Sequence, residues 1–205
     1  RKNAEGFELT DPLEIDNLKA SIAQKHVREA GPIVLGEMNL QNMEDVFNPT
    51  TGEIVGRVGI ASDADMEEAL EASQRGQKNW NAMGGVARAQ ILNKAADTLE
   101  AKCHYFMGLI AEEAGRTLAD GLSEVREAVD FLRYYAGQAQ EKFEGGTLLP
   151  GPTGERNELY LQGRGTFLCI SPWNFPLAIF VGQLSAALAA GNAVLAKPAE
   201  QTPIV

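Results

Sequence analysis

The run Ile170-Ser171-Pro172-Trp173-Asn174-Phe175-Pro176 closes the continuous apolar stretch Thr166-Phe167-Leu168-Cys169-Ile170. Each proline locks its own φ and pushes the residue before it out of the helical region, so the turn has little backbone freedom. Asn174 is the one side-chain amide it presents. A donor held in place beforehand can receive charge that develops on a carbonyl oxygen. Asparagine also serves as a plain turn former. Only the whole Pro-Trp-Asn-Phe-Pro context tips the reading toward chemistry.

Working outward, Leu177 to about Ala190 reads as a helix, Ala190-Gly191-Asn192 as its break, and Ala193-Val194-Leu195-Ala196-Lys197 as a second buried strand. Leu177 to Ala196 carries no charge and is about long enough to span a bilayer. The Ala-Gly-Asn break and the alanine-rich composition favour helix plus strand over a membrane helix. Two apolar strands joined by a helix predict a parallel βαβ unit covered on both faces. Ligands of open α/β sheets bind at the carboxyl ends of such strands. The first strand ends at Asn174 and the second at Lys197-Pro198-Ala199-Glu200. An ammonium can donate to ribose hydroxyls, and a carboxylate can accept from both hydroxyls while repelling a 2′-phosphate, which favours NAD over NADP. A solvated surface pair is the plain alternative. No Gly-x-Gly-x-x-Gly follows either strand, so the usual dinucleotide fingerprint is absent.

Upstream, Asp11-Pro12 starts a helix through Leu18 and Ile22 that Gly31-Pro32 ends. Val46–Ile60 reads as a hairpin around Asn48-Pro49-Thr50-Thr51-Gly52. Ser62 caps a helix whose inner face holds Met66, Ala69, Leu70 and Ser73. After Gly84-Gly85, a second helix turns Ile91, Leu92, Ala95 and Leu99 inward. A third, from about Leu122 to Phe143, buries Leu122, Val125, Val129, Leu132 and Tyr135. A Gly/Pro-rich connection, Gly145 to Gly154, precedes a short apolar strand at Leu159-Tyr160-Leu161-Gln162.

The 205 residues are 44% hydrophobic and 22% charged, enough to bury a core. A net charge of -10 argues against nucleic-acid binding, which needs a basic stripe. Two cysteines are too few for a disulfide framework, which points to a reducing compartment. Cys169 lies inside an apolar strand where a thiolate is costly, and Cys103 has no visible activating partner. His26 and His104 lack partners at metal-ligand spacing, so no metal site is implied.

The two motifs together resemble the aldehyde dehydrogenase superfamily. Phe47-Asn48-Pro49-Thr50-Thr51-Gly52 is shared widely within it. Arg1-Lys2-Asn3, Glu124 to Tyr135, and Ala196 to Pro203 look like the Δ1-pyrroline-5-carboxylate (L-glutamate-γ-semialdehyde) dehydrogenase module of bacterial proline utilization A proteins. The resemblance implies an α/β fold, the N-terminal portion of an aldehyde dehydrogenase: helices and a hairpin, then the opening strands of a Rossmann-like parallel sheet, incomplete. It implies a lead-in at 1–44, a helical part of the NAD-binding domain at 45–146, an oligomerisation arm at 147–163 and the first sheet strands at 164–205.

By the same resemblance, Asn174 helps form the oxyanion hole and Lys197 and Glu200 hold the adenosine ribose. Ser171, Pro172 and Trp173 line the cofactor cleft. Phe175 faces the aldehyde passage, and Glu127 lies near its entrance, where a solvated helix face is the competing role. The family's catalytic cysteine and general-base glutamate lie downstream of this segment, so the chain alone is expected to be inactive. NAD is the expected cofactor, with FAD only in an upstream proline dehydrogenase module. A small aldehyde substrate, homo-oligomer formation and a cytoplasmic location are expected. Another aldehyde dehydrogenase specificity and a non-catalytic nucleotide-binding remnant are the alternatives.

Overall fold

In a computed structural model describing residues 2–22 and 28–205, the N-terminal lead-in folds onto a helical core. Arg1 and His26 lie outside the described residues. The lead-in helix α1 (Pro12–Ile22) buries Leu18. A short strand β1 (Arg28–Ala30) follows, then a two-stranded hairpin, β2 (Ile33–Val34) and β3 (Glu37–Met38). The hairpin expected around Asn48–Gly52 is present as β4 (Met43–Phe47) and β5 (Ile54–Gly59). β1 joins it in parallel, Arg28 opposite Gly56, in the order β1-β5-β4. That third strand was not anticipated, because three residues of Arg-Glu-Ala carry no strand pattern.

Four long helices follow. α2 (Asp63–Ala82) opens on a complete capping box: Ser62 Oγ accepts from the amide of Asp65, whose carboxylate accepts from the amide of Ser62. Gly84, at φ 82°, breaks the chain into α3 (Gly84–Ala101). α4 (Cys103–Ala114) is a separate helix beyond the three expected, ending at left-handed Gly115. α5 (Leu118–Lys142) starts four residues before the expected Leu122, because Thr117 caps it.

The core lies where α3, α4 and α5 meet, built from Leu92, Ala96, Met107, Ile110, Val125, Ala128, Val129 and Leu132, and closed by Leu177 and Val181. Alanines at the contact let α3 and α5 approach closely. A Cβ on Gly85 would stand 2.1 Å from the carbonyl oxygen of Ala139, so only glycine fits there. Two expected faces need correction. On α3 the buried side is Arg88, Ala89, Leu92, Ala96 and Leu99, while Ile91 and Ala95 face outward. On α2, Met66 and Leu70 are exposed, and Ser73, Gln77 and Trp80 tie that helix to β8 and the end of α6 by hydrogen bonds.

The lead-in is tied down electrostatically. The Ala4 amide donates to Asp130 and the Glu5 amide to Glu100. Glu100 in turn grips the buried Arg133 at 2.6 Å, with Asp97 at 2.8 Å. That hydrogen bond from Arg133 is the main reason the Glu100 carboxyl is pulled down to about 2.

Past α5, β6 (Thr147–Leu149) and β7 (Asn157–Leu159) form an exposed antiparallel hairpin. Its second strand begins two residues before the expected Leu159, and Tyr160 to Gln162 lie outside it. The βαβ unit is then β8 (Thr166–Ile170), α6 (Ala178–Ala189) and β9 (Ala193–Lys197), with β8 and β9 parallel. The helix-plus-strand reading of Leu177–Ala196 holds. Among the described residues, no helix is long and apolar enough to cross a membrane. The expected cover on both sheet faces is only partial. The sheet is two strands wide, and Phe167, Leu168 and Ile170 are exposed.

Candidate active site

The parallel register aligns the two sequence motifs. Ile170 stands opposite Lys197, and the Ser171 amide continues the ladder by donating to the Lys197 carbonyl at 3.1 Å. Both motifs therefore leave the sheet at one edge, the carboxyl ends of β8 and β9. From α6, Gln183 donates to the Ile170 carbonyl and pins the end of β8.

Ser171 is buried, and among the described residues its Oγ has no hydrogen-bond partner. Pro172 is half-buried, Trp173 and Asn174 are exposed, and the chain dives inward again at Pro176 and Leu177. Asn174 thus stands at the crest of the turn. Its carboxamide makes no hydrogen bond among the described residues and is free to donate to a ligand. Lys197 Nζ donates to Glu200 Oε1 at 2.7 Å and to the Pro198 carbonyl at 3.2 Å. Its hydrogen bond holds the Glu200 carboxyl below the usual range. Both side chains are solvated, so the pair adds little to stability. It leaves an ammonium donor and one carboxylate oxygen facing outward.

The turn is held from below by residues with no evident role in the sequence. Glu124 on α5 is buried, and its Oε1 accepts from the amides of Leu177 at 2.7 Å and Ala178 at 3.2 Å. It therefore caps the amino end of α6, where amides lack helical partners and favour negative charge. Burial pushes its pKa up, against the pull of those two amides and of Arg116. Arg116, between α4 and α5, donates through Nη1 to the Asn174 carbonyl and lies over the Phe175 ring at 4.4 Å. Arg116 and Glu124 are drawn together at 3.8 Å, an ion-pair separation too long for a hydrogen bond.

Glu124 carried a faint signal, a carboxylate set between Gly121 and Val125 on a buried stripe. Arg116 carried none. Glu113, also buried, accepts the amides of Ile204 and Val205 and fastens the segment after Glu200. Burial lifts it to about 7 despite those donors. Glu127 is exposed one turn along α5 from Glu124, beside a surface groove that Arg126, Asp130, Phe131 and Tyr134 also line.

Neither cysteine is disposed for nucleophilic work. Cys169 is buried in β8, and burial raises its pKa. Cys103 opens α4, and burial pushes its thiol up to about 11. His104 stacks edge-on against Phe7. Among the described residues no cluster of three or more His, Cys, Asp or Glu could hold a metal ion.

The sequence profile of the aldehyde dehydrogenase family matches residues 37–205, the hairpin, helices and both site motifs. The chain belongs to the aldehyde dehydrogenase family. It is 42% identical over 208 residues to the bifunctional protein PutA of Klebsiella aerogenes, an alignment covering 100% of this chain and 15% of that protein. It is 35% identical to 1-pyrroline-5-carboxylate dehydrogenase of Anoxybacillus flavithermus, covering 89% of this chain and 36% of the relative. Among solved structures, 1-pyrroline-5-carboxylate dehydrogenase from Thermus with bound NAD superposes with a TM-score of 0.91 at 29% identity, over 98% of this chain and 40% of that one. The chain therefore spans well under half the length of these relatives. Its α/β architecture is that of part of this family's fold.

Proposed function

We propose that this chain is the amino-terminal part of an NAD-dependent dehydrogenase that oxidises L-glutamate-γ-semialdehyde to L-glutamate in proline catabolism. The observation that carries the proposal is the alignment of Asn174 with Lys197 and Glu200 at one sheet edge, in a chain similar to PutA along its whole length. In this reading the Asn174 carboxamide donates to the aldehyde oxygen as a thiolate from the rest of the protein attacks the carbonyl carbon. Such a donor is worth about 3 kcal/mol in the transition state. Phe175 walls the aldehyde passage and Glu127 borders its entrance.

The residues present fit a nicotinamide dinucleotide. Ser171 Oγ, without a hydrogen-bond partner among the described residues, and the backbone through Trp173 line the cleft, and Lys197 and Glu200 offer a donor and an acceptor to a ribose. The Glu200 charge disfavours a 2′-phosphate, so NAD is preferred to NADP. NAD, when bound, accepts the hydride from the substrate carbon. FAD would serve only a proline dehydrogenase module preceding the 1–44 lead-in. Residues 45–146 form the helical part of the NAD-binding domain and 164–205 its opening strands. The 147–163 arm, with Leu148, Leu149 and Tyr160 exposed, packs on a second copy, making a cytoplasmic homo-oligomer.

One observation favours a second reading for the chain in isolation. Burial disfavours the thiolate at both cysteines, so in this reading the 205 residues alone do not turn over an aldehyde. NADH formation by the intact polypeptide, assayed with glutamate semialdehyde, succinate semialdehyde and aliphatic aldehydes, tests the substrate. The first should rank highest, and Asn174→Ala should lower kcat by about 100- to 1,000-fold. Aldehyde oxidation by the isolated 205-residue chain would overturn its assignment as a part without a nucleophile.

A further inference from the structure

We infer that Arg116 is a positioning residue for Asn174, acting with Glu124 as a clamp that aims the carboxamide. The inference rests on the oxyanion role proposed above for Asn174. The physical problem is one of aim. Pro172 and Pro176 fix their own φ angles, and Pro176 restricts Phe175. The remaining freedom lies in the peptide units on either side of Asn174. Its side chain has no hydrogen bond among the described residues, so the backbone sets where Cβ stands and therefore the region the carboxamide can reach.

Two groups from distant sequence fix that backbone. Arg116 Nη1 donates to the Asn174 carbonyl, the oxygen of the peptide joining Asn174 to Phe175, while the guanidinium covers the Phe175 ring. Glu124 takes the amides of Leu177 and Ala178, just beyond Pro176. The guanidinium has another carboxylate near it, Asp120 at 3.7 Å from Nη2. Arg116 is thus held between α5 and the turn, with only 19% of its side chain exposed. A turn fastened at its crest and at its exit holds the Asn174 Cα–Cβ bond in one place, which narrows the space its carboxamide samples. Preorganisation of this kind matters because a displacement of about 1 Å at a reacting group can cost about 100-fold in rate.

The test uses the intact enzyme and a double-mutant cycle. Arg116→Ala should lower kcat by about 10- to 100-fold with KM for NAD unchanged within about twofold, and Arg116→Lys should restore most of the loss. Arg116→Met, which keeps a long unbranched side chain but no donor, should behave like Arg116→Ala and serves if that variant folds poorly. In an Asn174→Ala background, either Arg116 substitution should change kcat by less than about threefold, because its effect passes through the missing amide. Full kcat in Arg116→Ala and Arg116→Met, or additive losses in the double variants, would overturn the inference while leaving the role of Asn174 intact. A normal kcat in Asn174→Ala would instead overturn the oxyanion role itself, and the inference with it.

Discussion

The helical core and the βαβ edge follow opposite designs. Around α3, α4 and α5, apolar side chains and alanines are enclosed, and the buried cation Arg133 meets two carboxylates. At the β8–β9 edge, large apolar groups such as Leu168 and Trp173 are open to solvent, and the buried Ser171 Oγ has no hydrogen-bond partner among the described residues. The core is enclosed, with Leu177 and Val181 closing it from the side of α6. The turn at the edge is fastened by two residues of the helical part, Glu124 and Arg116. Stability should therefore be lost by changes in the first region, and function by changes in the second.

The sharpest way to break that contrast is Leu92→Ala. Its side chain is buried between α3 and α5, and truncation should cost about 3 kcal/mol through lost transfer energy and a cavity. Urea unfolding should show a lower midpoint with an unchanged slope.

Arg133→Ala should cost about 2 kcal/mol, because it strands the partly buried Glu100 carboxylate. It should also reshape the acid limb of stability. Glu100 is held at about 2, below its ordinary 4.5, so its contribution is present above pH 4.5 and lost as pH falls toward 2. In Arg133→Ala that loss between pH 4.5 and 2 should flatten, as unfolding at stepped pH would reveal.

Ser62→Ala removes one side of the capping box and should cost about 1 kcal/mol in thermal or urea unfolding. The smallest stability effect belongs to Leu168→Lys on β8. At 63% exposure, this side chain should change unfolding energy by less than about 0.5 kcal/mol. The same change should reduce self-association of the isolated chain in analytical ultracentrifugation, since it charges an open apolar strand. A large destabilisation there would mean the edge is part of the core after all.

The two regions also differed in legibility. The βαβ unit could be read from sequence because its strands are continuous apolar runs and its motifs sit at their ends. The cap of α2 was equally plain, since Ser62 and Asp65 are local partners. The phase of α3 was not. Ile91 and Leu92 are adjacent and either could have led the inner face, and the buried Arg88 runs against hydrophobic periodicity. The clamp on the turn was invisible for a related reason. Arg116 and Glu124 reach it across 58 and 53 residues of chain, and such pairing leaves no spacing to read.

Arg88 has one more consequence. Its guanidinium, 1% exposed, donates to the carbonyls of Ala189, Asn81 and Trp80, the closing turns of α6 and α2. A cation serving the ends of two helices from a third can be desolvated only when all three are in place. The segment from α2 to α3 and the far end of α6 should therefore open as one cooperative unit. Hydrogen exchange at the amides of Met83 and Ala190 should then share a single opening free energy, although they lie more than a hundred residues apart.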